Sequence, residues 1–190
     1  MSAKIGTVAA SRIKTNISVH QSNRKARKRG RLSVLSLRAL LVLYLYMLVK
    51  IILLKFHALS PGILWDRLLT GLQQPGLLSQ WLDAGNLLPF REISRSLHSL
   101  SGHDLFNLLG NVAIFMPLGI LLGLTFKDER MAGVKIWACS FVLSLGLESA
   151  QLLFRIGQFD VDDILLNTLG GLLGFAIYLA AILPFRRASK

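Results

Sequence analysis

Residues Leu147 to Phe175 read LESAQLLFRIGQFDVDDILLNTLGGLLGF, two apolar runs joined by a short polar corner. Before the corner, Glu148, Gln151 and Arg155 are spaced so as to share one face of a helix, and Ser140 and Ser144 extend that face backwards. After it, Asp163, Asn167, Gly170, Gly171, Gly174 and Tyr178 recur at the same helical spacing, while Leu165, Leu166, Leu169 and Leu173 fill much of the rest. Both helices therefore carry one polar or small stripe on an apolar surface, with Asp160, Asp162 and Asp163 between them. In a membrane such groups are costly and normally face a bundle interior or a wet cavity, so the corner is the first place to look for function.

A hydrophobic fraction of 53% and a mean hydropathy of +0.53 exceed what a soluble domain of 190 residues usually carries, and predict an integral membrane protein. The net charge of +12 resembles a nucleic-acid signal only until its placement is considered. Nine of the 22 Lys and Arg residues lie in the tail to Arg31, with no interleaved aromatic residues and no DNA- or RNA-binding motif, so no nucleic-acid partner is expected. Cys139 is the single cysteine, which excludes an intrachain disulfide or a thiolate metal cluster; no metal and no cofactor are expected.

The expected fold is all-α, an integral membrane four-helix bundle with an outer interfacial helical segment. Residues 1–31 form a basic tail, too long for the start of a cleaved signal and lacking a small-residue cleavage site after its apolar run. The first transmembrane helix occupies 32–54, with Arg38 and Lys50 close enough to an interface to snorkel. Residues 55–104 are an extracytoplasmic interfacial segment of short helices, broken at Pro61 and Pro75, with Trp65 and Trp81 suited to a membrane interface. Three further transmembrane helices lie within 105–185, followed by a short tail at 186–190. In the second span Asn107 and Asn111 share a face, Pro117 predicts a kink, and Gly119 and Gly123 permit close helix approach; Gly170 and Gly174 repeat that spacing in the fourth.

Outside the spans, Lys and Arg number nine before Leu32, three in Lys127 to Lys135 and three after Phe185, against four in Lys55 to Asp104 and one in the corner. The alternation puts both termini in the cytoplasm of a multi-pass bacterial plasma-membrane protein. The polar groups of the corner and of the second span then meet at the extracytoplasmic end, with Glu148 roughly 10 Å below its helix end at 1.5 Å per residue.

Four separated pieces, NLLPF at Asn86 to Phe90, NVAIFMPLG at Asn111 to Gly119, ESAQLLFRIGQFD at Glu148 to Asp160 and DDILLNTLGGLLG at Asp162 to Gly174, resemble the VanZ-like membrane proteins in family order. The resemblance implies a small helical membrane protein, with residues 105–185 as a VanZ-like three-helix core. Its namesake is associated with resistance to glycopeptide antibiotics, chiefly teicoplanin. Carried over by motif are Asn111, Pro117, Glu148, Gln151, Arg155, Asp160, Asp163 and Asn167.

Three readings follow. In the first, the polar groups hold the bundle together by interhelical amide bonds and a pairing of Glu148 with Arg155 or an arginine of the outer segment. In the second, Asn107, Asn111, Glu148, Gln151, Arg155, Asp160, Asp163 and Asn167 bind an amphiphilic envelope molecule, either a lipid-linked cell-wall intermediate or a glycopeptide antibiotic. Arg155, or else Arg91 or Arg95, would then take its phosphate or carboxylate by forked hydrogen bonds, and a lipid tail would rest between the glycine-spaced helices. In the third, an enzyme acts on a polyprenyl-phosphate-linked substrate, with Glu148 as general acid or base and Asp160 or Asp163 as its partner. The membrane bilayer is a partner in all three.

Overall fold

The computed structural model describes residues 33–53, 60–126 and 130–188. The basic tail Met1–Arg31 and the C-terminal residues Ser189 and Lys190 lie outside them. Among the described residues seven helices follow one another: α1 Ser33–Leu53, α2 Pro61–Gln73, α3 Pro75–Asp83, α4 Arg91–Ser99, α5 Gly102–Thr125, α6 Ala132–Leu153 and α7 Val161–Ala188. The chain divides into two units, Met1–Val42 and Leu43–Lys190; of the first, only the opening turns of α1 are described.

Local chemistry explains where these helices begin. Ser60 and Ser101 are N-caps whose hydroxyls accept the N–H groups of Ile63 and Asp104. Pro61 and Pro75 occupy first helical positions, where a missing N–H costs nothing. Asp160 caps α7 by accepting the N–H of Asp162 at 2.8 Å. The described part of the long connection is thus three short helices of 13, 9 and 9 residues, the first two started by these prolines.

Four helices, α1, α5, α6 and the part of α7 up to Ile182, are long and apolar enough to cross a membrane. They leave Phe106, Leu109 and Val142 more than three-fifths exposed, an outward apolar surface that water would penalise and lipid accepts. The fold is an all-α membrane fold.

Within the second unit α5 and α7 pack most closely, along the small residues. A Cβ built on Gly119 would fall 1.9 Å from the carbonyl oxygen of Gly171, one on Gly174 the same distance from that of Met116, and one on Gly170 2.2 Å from that of Val112. The glycine seam is filled by the neighbouring backbone, and Tyr178 packs against Gly123. That leaves no slot for a lipid tail between α5 and α7. Helix α5 continues through Pro117, and the Tyr44 hydroxyl donates to the carbonyl of Ile114 in the same stretch. Phe115, Leu118, Ile136, Leu147 and Ile164 fill the core with Leu48 from α1.

Candidate functional site

The stripe on α6 is buried as its spacing predicts: Ser140, Ser144, Glu148 and Gln151 all face inward. So is the α7 stripe from Asn167 onward, with Asp163 half-buried at its start, and the two meet where Asn167 Nδ2 donates to Ser144 Oγ at 2.9 Å. Gln151 Nε2 donates to the carbonyl of Ile52, tying α6 to α1. These contacts match the interhelical amide bonds of the first reading.

Arg155 leaves the stripe. Helix α6 ends at Leu153, and Arg155 stands beyond it in the left-handed region at φ 49. There its N–H donates to the carbonyl of Leu152 and that of Ile156 to Gln151, the Schellman arrangement that usually takes glycine at this position. Helical spacing therefore no longer governs its direction. Its guanidinium turns to α2, where Nη2 donates to the carbonyl of Arg67 at 3.4 Å and Arg67 Nη1 returns a bond to the carbonyl of Arg155 at 2.8 Å. Its Nε is buried without a hydrogen-bond partner among the described residues.

At the same end of the bundle the connection before α4 joins the corner. Asn86 N–H donates to the carbonyl of Phe159 and Val161 N–H to that of Asn86, an isolated parallel bridge. Gly85 allows this approach, since a Cβ there would lie 2.5 Å from the Phe159 carbonyl oxygen. Asn86 Nδ2 then reaches two carboxylates, Asp160 Oδ1 at 2.9 Å and Asp162 Oδ2 at 3.3 Å. Beneath the corner, Glu148 accepts the N–H of Asp160 at 3.0 Å.

Asp162 is 1% exposed, and its carboxylate takes the N-terminus of α4. It accepts from the backbone N–H of Phe90 at 2.5 Å, of Glu92 at 2.7 Å and of Ile93 at 3.2 Å. A helix N-terminus exposes donors and positive dipole charge, so a carboxylate from another helix caps it well. Phe90 stands at φ 67, left-handed, to aim its N–H there.

Two adjoining cavities open around this clasp. One of about 250 Å³ is lined by Glu92, Arg95, Asp104, Asn107, Asn111, Asp160, Asp162 and Asp163, among others; the other, of about 440 Å³, shares Glu92, Arg95, Asp160 and Asp163 and adds Asn86 and Arg91. Asn111 Nδ2 donates to Asp163 Oδ1 across the first. Glu92 pairs with Arg95 at 2.5 Å, and Asp104 accepts from Ser99 Oγ at 2.7 Å.

Of the residues named from sequence, Asn107, Asn111, Asp160 and Asp163 line the cavities, whereas Glu148, Gln151, Arg155 and Asn167 do not. Of the alternatives to Arg155 for an anionic group, Arg91 lines the second cavity and Arg95 lines both; Asn86, Glu92 and Asp104 line them without being site candidates from the sequence, and Asp162 had no role there. Of Asn86, Glu92 and Asp104, only Asn86 carried a signal, as the first residue of the NLLPF piece.

A multi-pass helical membrane protein with a polar cavity at one end of its bundle is the class these observations define. A model of the VanZ/LLP1 family matches residues 40–183, and the chain belongs to that family. The match begins inside α1 and takes in the short helices α2 to α4 as well as the three helices after them. The chain is also 41% identical over 71 residues to Protein VanZ of Enterococcus faecium. That likeness covers 37% of this chain and 43% of the relative, so the chain spans less than half the length of the curated relative it matches. No solved structure matches the chain significantly.

Proposed function

We propose that this VanZ-family protein binds an amphiphilic cell-envelope molecule in the paired cavities, and thereby contributes to glycopeptide resistance. The ligand is a lipid-linked cell-wall intermediate or a lipoglycopeptide. The observation that carries the reading is the concentration of acid, amide and guanidinium groups around a cavity of about 250 Å³ at the end of a membrane bundle. Ionisable groups in that setting are expensive unless they serve a ligand or one another. In this reading the site residues are Asn107, Asn111, Asp160 and Asp163, joined by Glu92 and Arg95.

The charge alternation along the chain supports a bacterial plasma-membrane location with both termini cytoplasmic. The cavities then face outward, where envelope intermediates and glycopeptides are met. Residues 1–31 and 186–190 are cytoplasmic tails in this arrangement, 32–54 the first span, 55–104 the outer segment and 105–185 the core. An enzyme using Glu148 as acid or base draws less support, because that side chain is 2% exposed and caps the Asp160 N–H.

The test compares teicoplanin and vancomycin resistance in cells expressing this chain or Asp163→Asn at matched membrane levels. Protection by the unmodified chain that is lost in the variant supports the reading. Absence of protection, together with no retention of fluorescent teicoplanin or of a lipid-linked wall precursor by the purified protein, overturns it.

A further inference from the structure

We propose that the paired cavities receive a primary ammonium group whose adjacent anionic group is taken by Arg91, so that the preferred ligand is a zwitterionic amphiphile. This rests on the binding role proposed above and names the headgroup chemistry. Five carboxylates, Glu92, Asp104, Asp160, Asp162 and Asp163, line the first cavity against one guanidinium, that of Arg95. Carboxylates gathered around one partly desolvated cavity raise one another's energy, and a cation in the cavity lowers it.

The second observation is independent of that charge. Asn86 lines the other cavity, is 7% exposed, and its Oδ1 has no hydrogen-bond partner among the described residues. Its Nδ2 donates to Asp160 and Asp162, which fixes the amide orientation and leaves the oxygen as an acceptor. A buried acceptor without a donor is costly, and such groups are rare unless a ligand or water completes them. Asp160 adds another acceptor, since its Oδ2 accepts no hydrogen bond from the described residues while Oδ1 accepts from Asn86 and Asp162.

The missing partner is a donor that is also positive. An ammonium offers three N–H groups and suits separate acceptors without a fixed coordination shell. A metal ion fits less well, because among the described residues no three His, Cys, Asp or Glu side chains group closely enough to hold one.

Arg91 argues for a second charge on the same ligand. It lines the cavity with Asn86, is exposed, and has no ion-pair partner among the described residues, unlike Arg95, which is bound to Glu92. A guanidinium beside an ammonium site fits a phosphate or carboxylate next to the amine. The approach to α4 exposes Leu87, Leu88 and Phe90, which gives an attached apolar chain a surface beside the headgroup. Phosphoethanolamine on a lipid and the amino-acid zwitterion of an acylated peptide both carry this chemistry.

The experiment uses the full-length protein in nanodiscs of phosphatidylglycerol, titrated with phosphatidylethanolamine, with phosphatidylcholine, or with an acylated peptide bearing a free α-amine and carboxylate. Retained molecules are counted by native mass spectrometry. Loss of charged hydrogen bonds to an N-methylated head should cost about tenfold in affinity, so an amine-bearing amphiphile is retained about tenfold over phosphatidylcholine. Which of the two amines is preferred identifies the source. Glu92→Gln should cut the preference without altering the melting temperature, and Arg91→Ala should weaken both amine-bearing amphiphiles. Equal retention of phosphatidylcholine and both amines overturns the inference, as does a preference that survives both variants. If teicoplanin protection still requires Asp163 in that event, the binding role stands and only its headgroup chemistry is wrong.

Discussion

Asp162 accepts the backbone N–H of Glu92 at 2.7 Å, joining the first turn of α7 to the first turn of α4 across 70 residues of sequence. With the Phe90 and Ile93 bonds to the same carboxylate, this contact positions α4 over the corner. Glu92, Arg95 and Ser96 of α4 line the first cavity, so the clasp also shapes the candidate site.

Replacing the carboxylate by an amide puts an NH₂ group against backbone donors. Asp162→Asn is expected to free α4 rather than unfold the bundle, since the α5–α7 seam does not involve it. Hydrogen bonds to a charged group contribute about 2 kcal/mol, or roughly 30-fold in exchange rate. Hydrogen exchange read by mass spectrometry should therefore rise about 30-fold across residues 90–93, with α5 and α7 unchanged. Unaltered protection at those amides would remove Asp162 from this role.

The glycine seam yields a paired prediction. Gly174→Ala drives a Cβ to 1.9 Å from the Met116 carbonyl oxygen, whereas Gly146→Ala meets nothing within 4 Å. The first must part α5 and α7 and should cost about 1–3 kcal/mol or more. The second removes a helix glycine and should stabilise by about 0.5–1 kcal/mol. Thermal melts of the two variants in detergent should move in opposite directions.

The spans were legible because crossing a bilayer demands long apolar runs, and the seam was legible because small residues at four-residue spacing have few other uses. Asn107, Asn111 and Asp163 reached the cavity for the same reason, being polar positions on regular helices. Arg155 did not, because its spacing implied a helix that ends two residues earlier. The Asp162 clasp was hidden for a different reason: its partners are backbone N–H groups, which every residue but proline owns. Glu92 lies on a helix of nine residues whose place over the corner depends on that clasp, whereas Arg91 and Arg95 of the same helix were legible as basic groups near the outer end of the bundle.

Arg155 separates backbone from side-chain effects. At φ 49 a residue with a Cβ is strained by about 1–2 kcal/mol relative to glycine. Arg155→Gly relieves this and Arg155→Ala keeps it, while both lose the guanidinium and leave the bond from Arg67 to the carbonyl of residue 155 in place. The glycine variant should therefore melt above the alanine variant, by about 1 kcal/mol in unfolding free energy. Equal melting would mean that the left-handed corner carries no strain.

The final prediction sets Glu148 against Asp163. Both are carboxylates near the corner, but Glu148 is buried beneath the Asp160 N–H while Asp163 lines both cavities beside Asn111. Glu148→Gln retains an oxygen that can accept the Asp160 N–H, so the expected loss is that of an interhelical polar contact, about 0.6 kcal/mol or threefold. Asp163→Asn removes a charge from the cavity wall and should abolish teicoplanin protection at matched membrane levels if the ligand is bound there. A catalytic carboxylate predicts the reverse order, because an amide cannot transfer the proton whatever its hydrogen bonds. Resistance measured side by side for the two variants decides between them: protection lost only in Glu148→Gln would transfer the function to that residue and overturn the binding site at the cavity.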